Sequence, residues 1–289
     1  MKPDPTSVGS RTQTLQLAFS PCPNDTFIFC GLASGRVRTD PYHVEITLGD
    51  VEWLNRRALA GSLDITKVSV FAMLHLLKSY RILESGGAIG RGCGPLVVAR
   101  EAFPPSDLPG KRMAIPGRMT TANLLLQLSG FHRGPVVEMV FDRIMPAVQR
   151  GDVDAGVIIH EGRFTYPAYG LKKVLDLGIW WEEETGLPLP LGCIAVKRDL
   201  GNGVAAFFEE RIRESILHAQ AHPEEVWPYV RRHAQEMAPD IIRNHIEMFV
   251  NDFSMCAGEE GQRAIRALLE AAARQQNRPM PDLPLFRSF

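Results

Sequence analysis

Short apolar runs, each closed by turn residues, recur along the chain and alternate between a strand period and a helix period. Leu15-Gln16-Leu17-Ala18-Phe19-Ser20 predicts a strand, and Pro21-Cys22-Pro23-Asn24-Asp25-Thr26 breaks it before a helix-like apolar stretch from Phe27. Residues 44–48 alternate as a strand, and Val51, Leu54, Ala58 and Leu59 then fall at helical spacing. Gly61 closes that helix, a usual place for glycine just past a helix end. The same grammar predicts a strand over 65–70, a helix over 71–77, a strand over 111–115 and a helix over 120–128. It continues with a strand over 136–141, a helix over 143–149 capped by Gly151, and a strand over 155–160. Such βα alternation predicts a parallel-rich sheet flanked by helices.

One unit occurs twice. A helix followed by Gly61-Ser62-Leu63-Asp64-Ile65 and a strand is echoed by a helix, Gly151-Asp152-Val153-Asp154-Ala155 and a strand. Each copy has an upstream strand ending in a broken turn and a helix start, at 20–26 in the first and 116–121 in the second. The echo predicts two similar lobes with polar groups at their strand ends. Strand-like segments at 94–100 and 189–196 are the expected crossings between them. Residues 1–98 and 193–289 would then form lobe 1, with lobe 2, residues 99–192, inserted into it and a ligand cleft between. Beyond Asp199 the pattern is helical over 205–221, 224–233, 240–251 and 259–275.

Composition narrows the function classes. Hydrophobic residues make up 45% of the 289, enough for a real core, and a net charge of −1 gives no bulk attraction to nucleic acid or anionic membrane. No apolar run approaches the ~18 residues of a membrane span, and the polar opening at 1–7 leaves no room for a secretory h-region. Five scattered cysteines without a CxxC pair argue against a disulfide framework and a zinc site. The expected protein is cytoplasmic and metal-free, a monomer or homodimer acting on a small molecule.

The richest candidate chemistry follows the apolar run at 157–159, which delivers His160 to a strand's carboxyl end, where open α/β sheets bind ligands. An imidazole there suits a general base near neutral pH. Glu161 would face away from it if the strand continued, so a structural role is expected. Asn24 and Asp25 are N-cap candidates and secondary site groups, as is Arg163. Ser69 and Thr121 offer hydroxyls to a polyhydroxylated or carboxylated ligand. Lys67 would serve it by backbone or charge, and Asn55 faces either the cleft or the interior. Trp180-Trp181 before three glutamates reads as packing ahead of a solvated helix start. The remaining histidines, His245 among them, show no spacing that suggests chemistry, and His218 with His222 lacks a third metal ligand nearby.

The segments SPCPNDTFIF (20–29), EWLNRRAL (52–59), GRGCGPLVVAR (90–100), PGRMTTA (116–122), AGVIIHEGRFTYP (155–167) and GLPLPLG (186–192) resemble the 1,4-dihydroxy-6-naphthoate synthase family of the futalosine route to menaquinone. The likeness runs from about Leu15 to Pro284. It implies a type II periplasmic-binding-protein-like clamp, an α/β fold with two interlobe crossings and a helical C-terminal region. It also implies a lyase that converts cyclic dehypoxanthinylfutalosine to 1,4-dihydroxy-6-naphthoate and dihydroxyacetone without a cofactor. The histidine of the family's IHE motif, the proposed base, falls on His160. Substrate contacts fall on Lys67, Val68 and Ser69 and on Thr121 and Ala122. Gly162 stands where a small polar residue such as serine is expected. A solute-binding protein of the same fold and the sibling chorismate dehydratase are the rival readings.

Overall fold

In a computed structural model, residues 13–234 and 238–287 are described; the polar opening at 1–7 lies outside them. The first sheet begins with β1 (Thr14–Phe19), α1 (Pro23–Ala33), β2 (His43–Leu48), α2 (Val51–Leu59), β3 (Ile65–Ser69), α3 (Val70–Leu76) and β4 (Tyr80–Gly90). The chain then builds a second sheet from β5 (Leu96–Ala99), β6 (Met113–Ile115), α4 (Thr121–Ser129), β7 (Val136–Glu138), α5 (Phe141–Arg150) and β8 (Ala155–Ile158). A short α6 (Gly162–Thr165), β9 (Lys172–Asp176) and α7 (Leu177–Thr185) complete it. Finally β10 (Leu189–Lys197) rejoins the first sheet, followed by α8 (Gly201–Ala221), α9 (Pro223–His233), α10 (Pro239–Phe249), α11 (Asp252–Met255) and α12 (Gly258–Gln275).

The strand orders are β2-β1-β3-β10-β4 and β7-β6-β8-β5-β9. In each sheet three parallel strands are followed by an antiparallel strand that the chain enters directly from the other sheet. The two copies of the echo occupy equivalent places. Asp64 Oδ2 accepts the backbone N–H of Gln16 at 2.8 Å while its own N–H reaches Gln16 O at 3.0 Å. Asp154 does the same with Arg112, at 2.7 and 2.9 Å. In each copy one carboxylate locks the incoming strand onto its parallel neighbour, and Leu63 or Val153 anchors the turn in the core. Gly61 and Gly151 take the left-handed φ of 68° and 83° that ends each preceding helix.

Several boundaries differ from the sequence reading. The limits drawn at 98/99 and 192/193 fall inside strands. All of β5 pairs with β8 and β9, and β10 pairs with β4 from Leu189 onward, so the crossings lie at 91–95 and 186–188. The strand expected over 136–141 stops at Glu138, because its partner β6 offers three ladder positions. The strand leading to His160 stops at Ile158, the last residue opposite β5. Helix α1 begins at Pro23 rather than near Phe27, with Cys22 as a cap residue that makes no side-chain cap. Asn24 and Asp25 therefore lie in its first turn and are not caps. Trp180 and Trp181 sit within α7 rather than before it; Trp181 is buried and donates Nε1–H to Pro188 O at 3.2 Å.

The core is continuous across the two sheets. Val68 and Phe71 of the first pack in one cluster with Leu124 and Leu125 of α4, Trp181 of α7 and Leu268 of α12. The C-terminal helices lie against the first sheet, where Phe208, Ile212 and Ile216 of α8 cover Leu17, Phe29 and Ile194. The carboxyl ends of β1 and β3 thus face those of β6 and β8 across one narrow space.

Candidate active site

That space is a cavity. Ser20, Asn24 and Asp25 enter it from the β1–α1 turn, and Lys67, Val68 and Ser69 from the end of β3. Thr120, Thr121 and Ala122 enter from the start of α4, Ile159 and His160 from beyond β8, and Leu191 and Gly192 from β10. Cys93, Pro95 and Phe249 close its sides. Ser20, Cys93 and Pro95 lie in the motif segments at 20–29 and 90–100 but were not singled out there, and Phe249 on its helix carried no distinctive sequence signal.

His160 sits two residues past the ladder with φ 55°, a left-handed conformation that costs a non-glycine residue about 1–3 kcal/mol. Val157 and Ile158, both buried, anchor the strand that holds it there. Its ring meets that of Phe141 in a T-shaped contact, with centroids 4.9 Å apart and 71° between the planes. Its Nε2 is enclosed and has no hydrogen-bond partner among the described residues. Burial pushes the imidazole pKa down to about 4; the Asp25 carboxylate pulls it up and Lys67 pushes it further down. The ring is accordingly neutral at pH 7, with a lone pair available.

A buried polar network backs this base. Lys67 Nζ lies 2.9 Å from Asp25 Oδ1, with both side chains almost wholly enclosed, and also donates to Gly86 O at 2.9 Å. Asp25 Oδ2 accepts the Ser20 hydroxyl at 2.7 Å, and Asn24 Nδ2 donates to Oδ1 at 2.9 Å. The ammonium anticipated for a substrate charge is thus committed to Asp25. One residue passed over in the sequence joins the same network: His245 of α10 reaches Asn24 Oδ1 at 2.9 Å. Its one sequence signal is its place on the buried stripe Ile242, His245 and Phe249.

The two hydroxyls are also tied. Ser69 N–H donates to Asn55 Oδ1 at 2.9 Å, and Asn55 Nδ2 donates to Ser69 Oγ at 3.2 Å and to Met119 O at 3.4 Å. Asn55 is fully buried behind Ser69 and does not line the cavity. Thr121 Oγ1 donates to Leu191 O at 2.8 Å and accepts Phe71 N–H at 3.3 Å. Arg163 is not brought to the cavity. It pairs with Asp176 at 2.9 Å and donates to Gly94 O, tying α6 to the first crossing and to the cap of α7. His218 lies on α8 and His222 in the link to α9; contrary to the sequence reading, Glu224 and Glu225 do lie beside His222, all three exposed, and Glu225 is paired with Arg36 at 3.0 Å.

Comparison with known proteins decides the family. A family model described as menaquinone biosynthesis matches residues 15–274. The chain belongs to this menaquinone-biosynthesis family. It is 54% identical to the 1,4-dihydroxy-6-naphthoate synthase of Thermus thermophilus, over 95% of this chain and 99% of that one. The synthase of Streptomyces coelicolor is 47% identical over 90% and 93% of the two chains. A crystal structure of a protein from Archaeoglobus fulgidus superposes with a TM-score of 0.85 at 40% identity, covering 91% of this chain and 98% of that one. The periplasmic aliphatic sulphonate binding protein of Escherichia coli matches with a TM-score of 0.65 at 10% identity, over 95% and 91% of the chains. That likeness establishes for this family member a periplasmic-binding-protein-like fold and nothing about its ligand.

Proposed function

We propose that this member of the menaquinone-biosynthesis family is a carbon–carbon lyase that takes cyclic dehypoxanthinylfutalosine into the cavity between its two sheets. It releases 1,4-dihydroxy-6-naphthoate and dihydroxyacetone, with His160 as general base. The observation that carries this reading is the buried imidazole of His160, with enclosed Nε2, at the wall of a cavity built largely from the family's motif segments. A pure binder needs hydrogen-bonding groups and has no use for a base held unprotonated at a strained backbone position.

In this reading His160 removes a proton from the substrate, the bond to the three-carbon remnant breaks, and the forming ring becomes aromatic, which supplies driving force. A well-placed base contributes about 10²–10⁴-fold in rate. The carboxyl ends of the strands and the start of α4 hold the substrate through Lys67, Val68 and Ser69 on one side and Thr121 and Ala122 on the other. Asn24 and Asp25 orient the wall beside the base. The two sheets with their helices act as lobes that close over the substrate and exclude water. No metal or organic cofactor takes part, and the reaction belongs in the cytoplasm.

The test is mass spectrometry of the purified protein incubated with cyclic dehypoxanthinylfutalosine after exhaustive chelation. Both product masses are expected, and chorismate is expected to come through unchanged. Consumption of chorismate, or turnover that returns only with an added metal, would refute the reading.

A further inference from the structure

The cavity leaves one buried titratable ring unexplained. His245 is fully buried on α10 and does not line the cavity. Its ring lies 6.1 Å from that of His160, with 25° between the planes, within the range of offset stacking. Hydrogen-bond accounting fixes the polarity of its other contact. A carboxylate only accepts, so Asn24 turns its amide nitrogen to Asp25 and its carbonyl oxygen to His245. The Nε2 of His245 therefore carries the hydrogen. Burial, together with the neighbouring His160, holds its pKa well below the ordinary value. Its Nδ1 lies 3.8 Å from Glu161 Oε2.

We propose that His245 is a positioning residue for His160. Its ring is a surface against which the His160 imidazole is held, and its Nε2–H fastens that surface to Asn24 and so to the Asp25–Lys67 pair. The support is needed because His160 stands beyond the last ladder pair of β8, in a left-handed backbone that no neighbouring strand among the described residues fixes. A phenylalanine at 245 would supply the ring without the donor, and a glutamine the donor without the ring. The charged and titratable groups acting on the two imidazoles are Asp25 of α1, Lys67 of β3, Asp50 at the start of α2, and Glu161. The inference rests on the reading of His160 as the base.

The experiment measures steady-state turnover of cyclic dehypoxanthinylfutalosine by His245→Phe, His245→Gln, His160→Asn and the double variant His160→Asn/His245→Phe. Each His245 variant is expected to lower kcat about 10–100-fold, the scale of a small misplacement of a reacting group. KM should stay within about threefold, because no cavity-lining group is removed. In the His160→Asn background, His245→Phe is expected to change nothing further, since it acts through an imidazole that is gone. If His245→Phe does not fold, His245→Gln carries the comparison, alone and combined with His160→Asn. Losses that multiply in the double variant, or a raised KM with intact kcat, would overturn the proposal. Intact kcat in both His245 variants beside an inactive His160→Asn would sink this inference alone. Wild-type turnover by His160→Asn would remove the base assignment, and this inference with it.

Discussion

Burial, more than any single bond, sets the chemistry of His160. Its folded-state pKa of about 4 lies below the ~6.5 of an unfolded histidine. Between those values the unfolded chain takes up a proton that the folded chain refuses. The stability tied to the neutral ring is therefore complete above ~pH 6.5 and is lost as pH falls toward about 4, up to about 3 kcal/mol in all. His245, shifted in the same direction, adds to the loss. Urea midpoints should fall between pH 7 and pH 5, and His160→Asn should reduce that fall; an equal fall in the variant would contradict the shift. Lys67 makes a second case. Lys67→Met strands a buried carboxylate and should cost about 3 kcal/mol, the low end for breaking a buried pair, because Ser20 and Asn24 still donate to Asp25. A loss below about 1 kcal/mol in denaturant titration would show that water reaches Asp25. The sequence revealed His160 because an apolar run points straight at it. It concealed the commitment of Lys67 and the place of His245, because their partners lie on elements far away along the chain.

Helix starts and strand ends do most of the positioning. Asp50 caps α2 by accepting the backbone N–H groups of Glu52 and Trp53, and α2 then offers Glu52 and Asn55 to the loop before α4. The Glu52 carboxylate accepts Met119 N–H at 3.2 Å, and burial raises its pKa. Thr121 ties the same loop to the opposite sheet through Leu191 O and Phe71 N–H. Thr121→Val keeps the volume but leaves both backbone groups without their partner, at about 1–3 kcal/mol for a buried unsatisfied group. The variant is expected to melt earlier and to bind substrate more weakly, as read by thermal unfolding with and without substrate. Normal melting with normal binding would place the hydroxyl outside both roles. Element types were legible here from period and turn residues. Their ends were not: β7 and β8 stop where their ladder partners stop, and α1 starts where the Pro21–Pro23 turn releases the chain.

At the scale of the whole molecule, the repeated Gly-x-x-Asp unit was the sequence's clearest statement of architecture. Asp64 and Asp154 lock equivalent strands in two sheets of the same order. β10 was legible as a strand-like segment at 189–196, but its antiparallel pairing and the edge strand β4 depend on long-range partners and left no local trace. Among the described residues no helix is long and apolar enough to cross a membrane. The cavity lies where the two sheets present their strand ends to each other, and the account stands or falls on what His160 does there. The most direct measurement is single-turnover conversion of cyclic dehypoxanthinylfutalosine by the wild type and by His160→Asn, with substrate affinity measured in parallel. Asparagine keeps approximate size and a hydrogen-bonding amide but cannot take up a proton near neutral pH. The variant should fold, bind substrate within about threefold of wild type, and convert it at least ~10²-fold more slowly. Conversion by His160→Asn at the wild-type rate would contradict the account and place the base elsewhere.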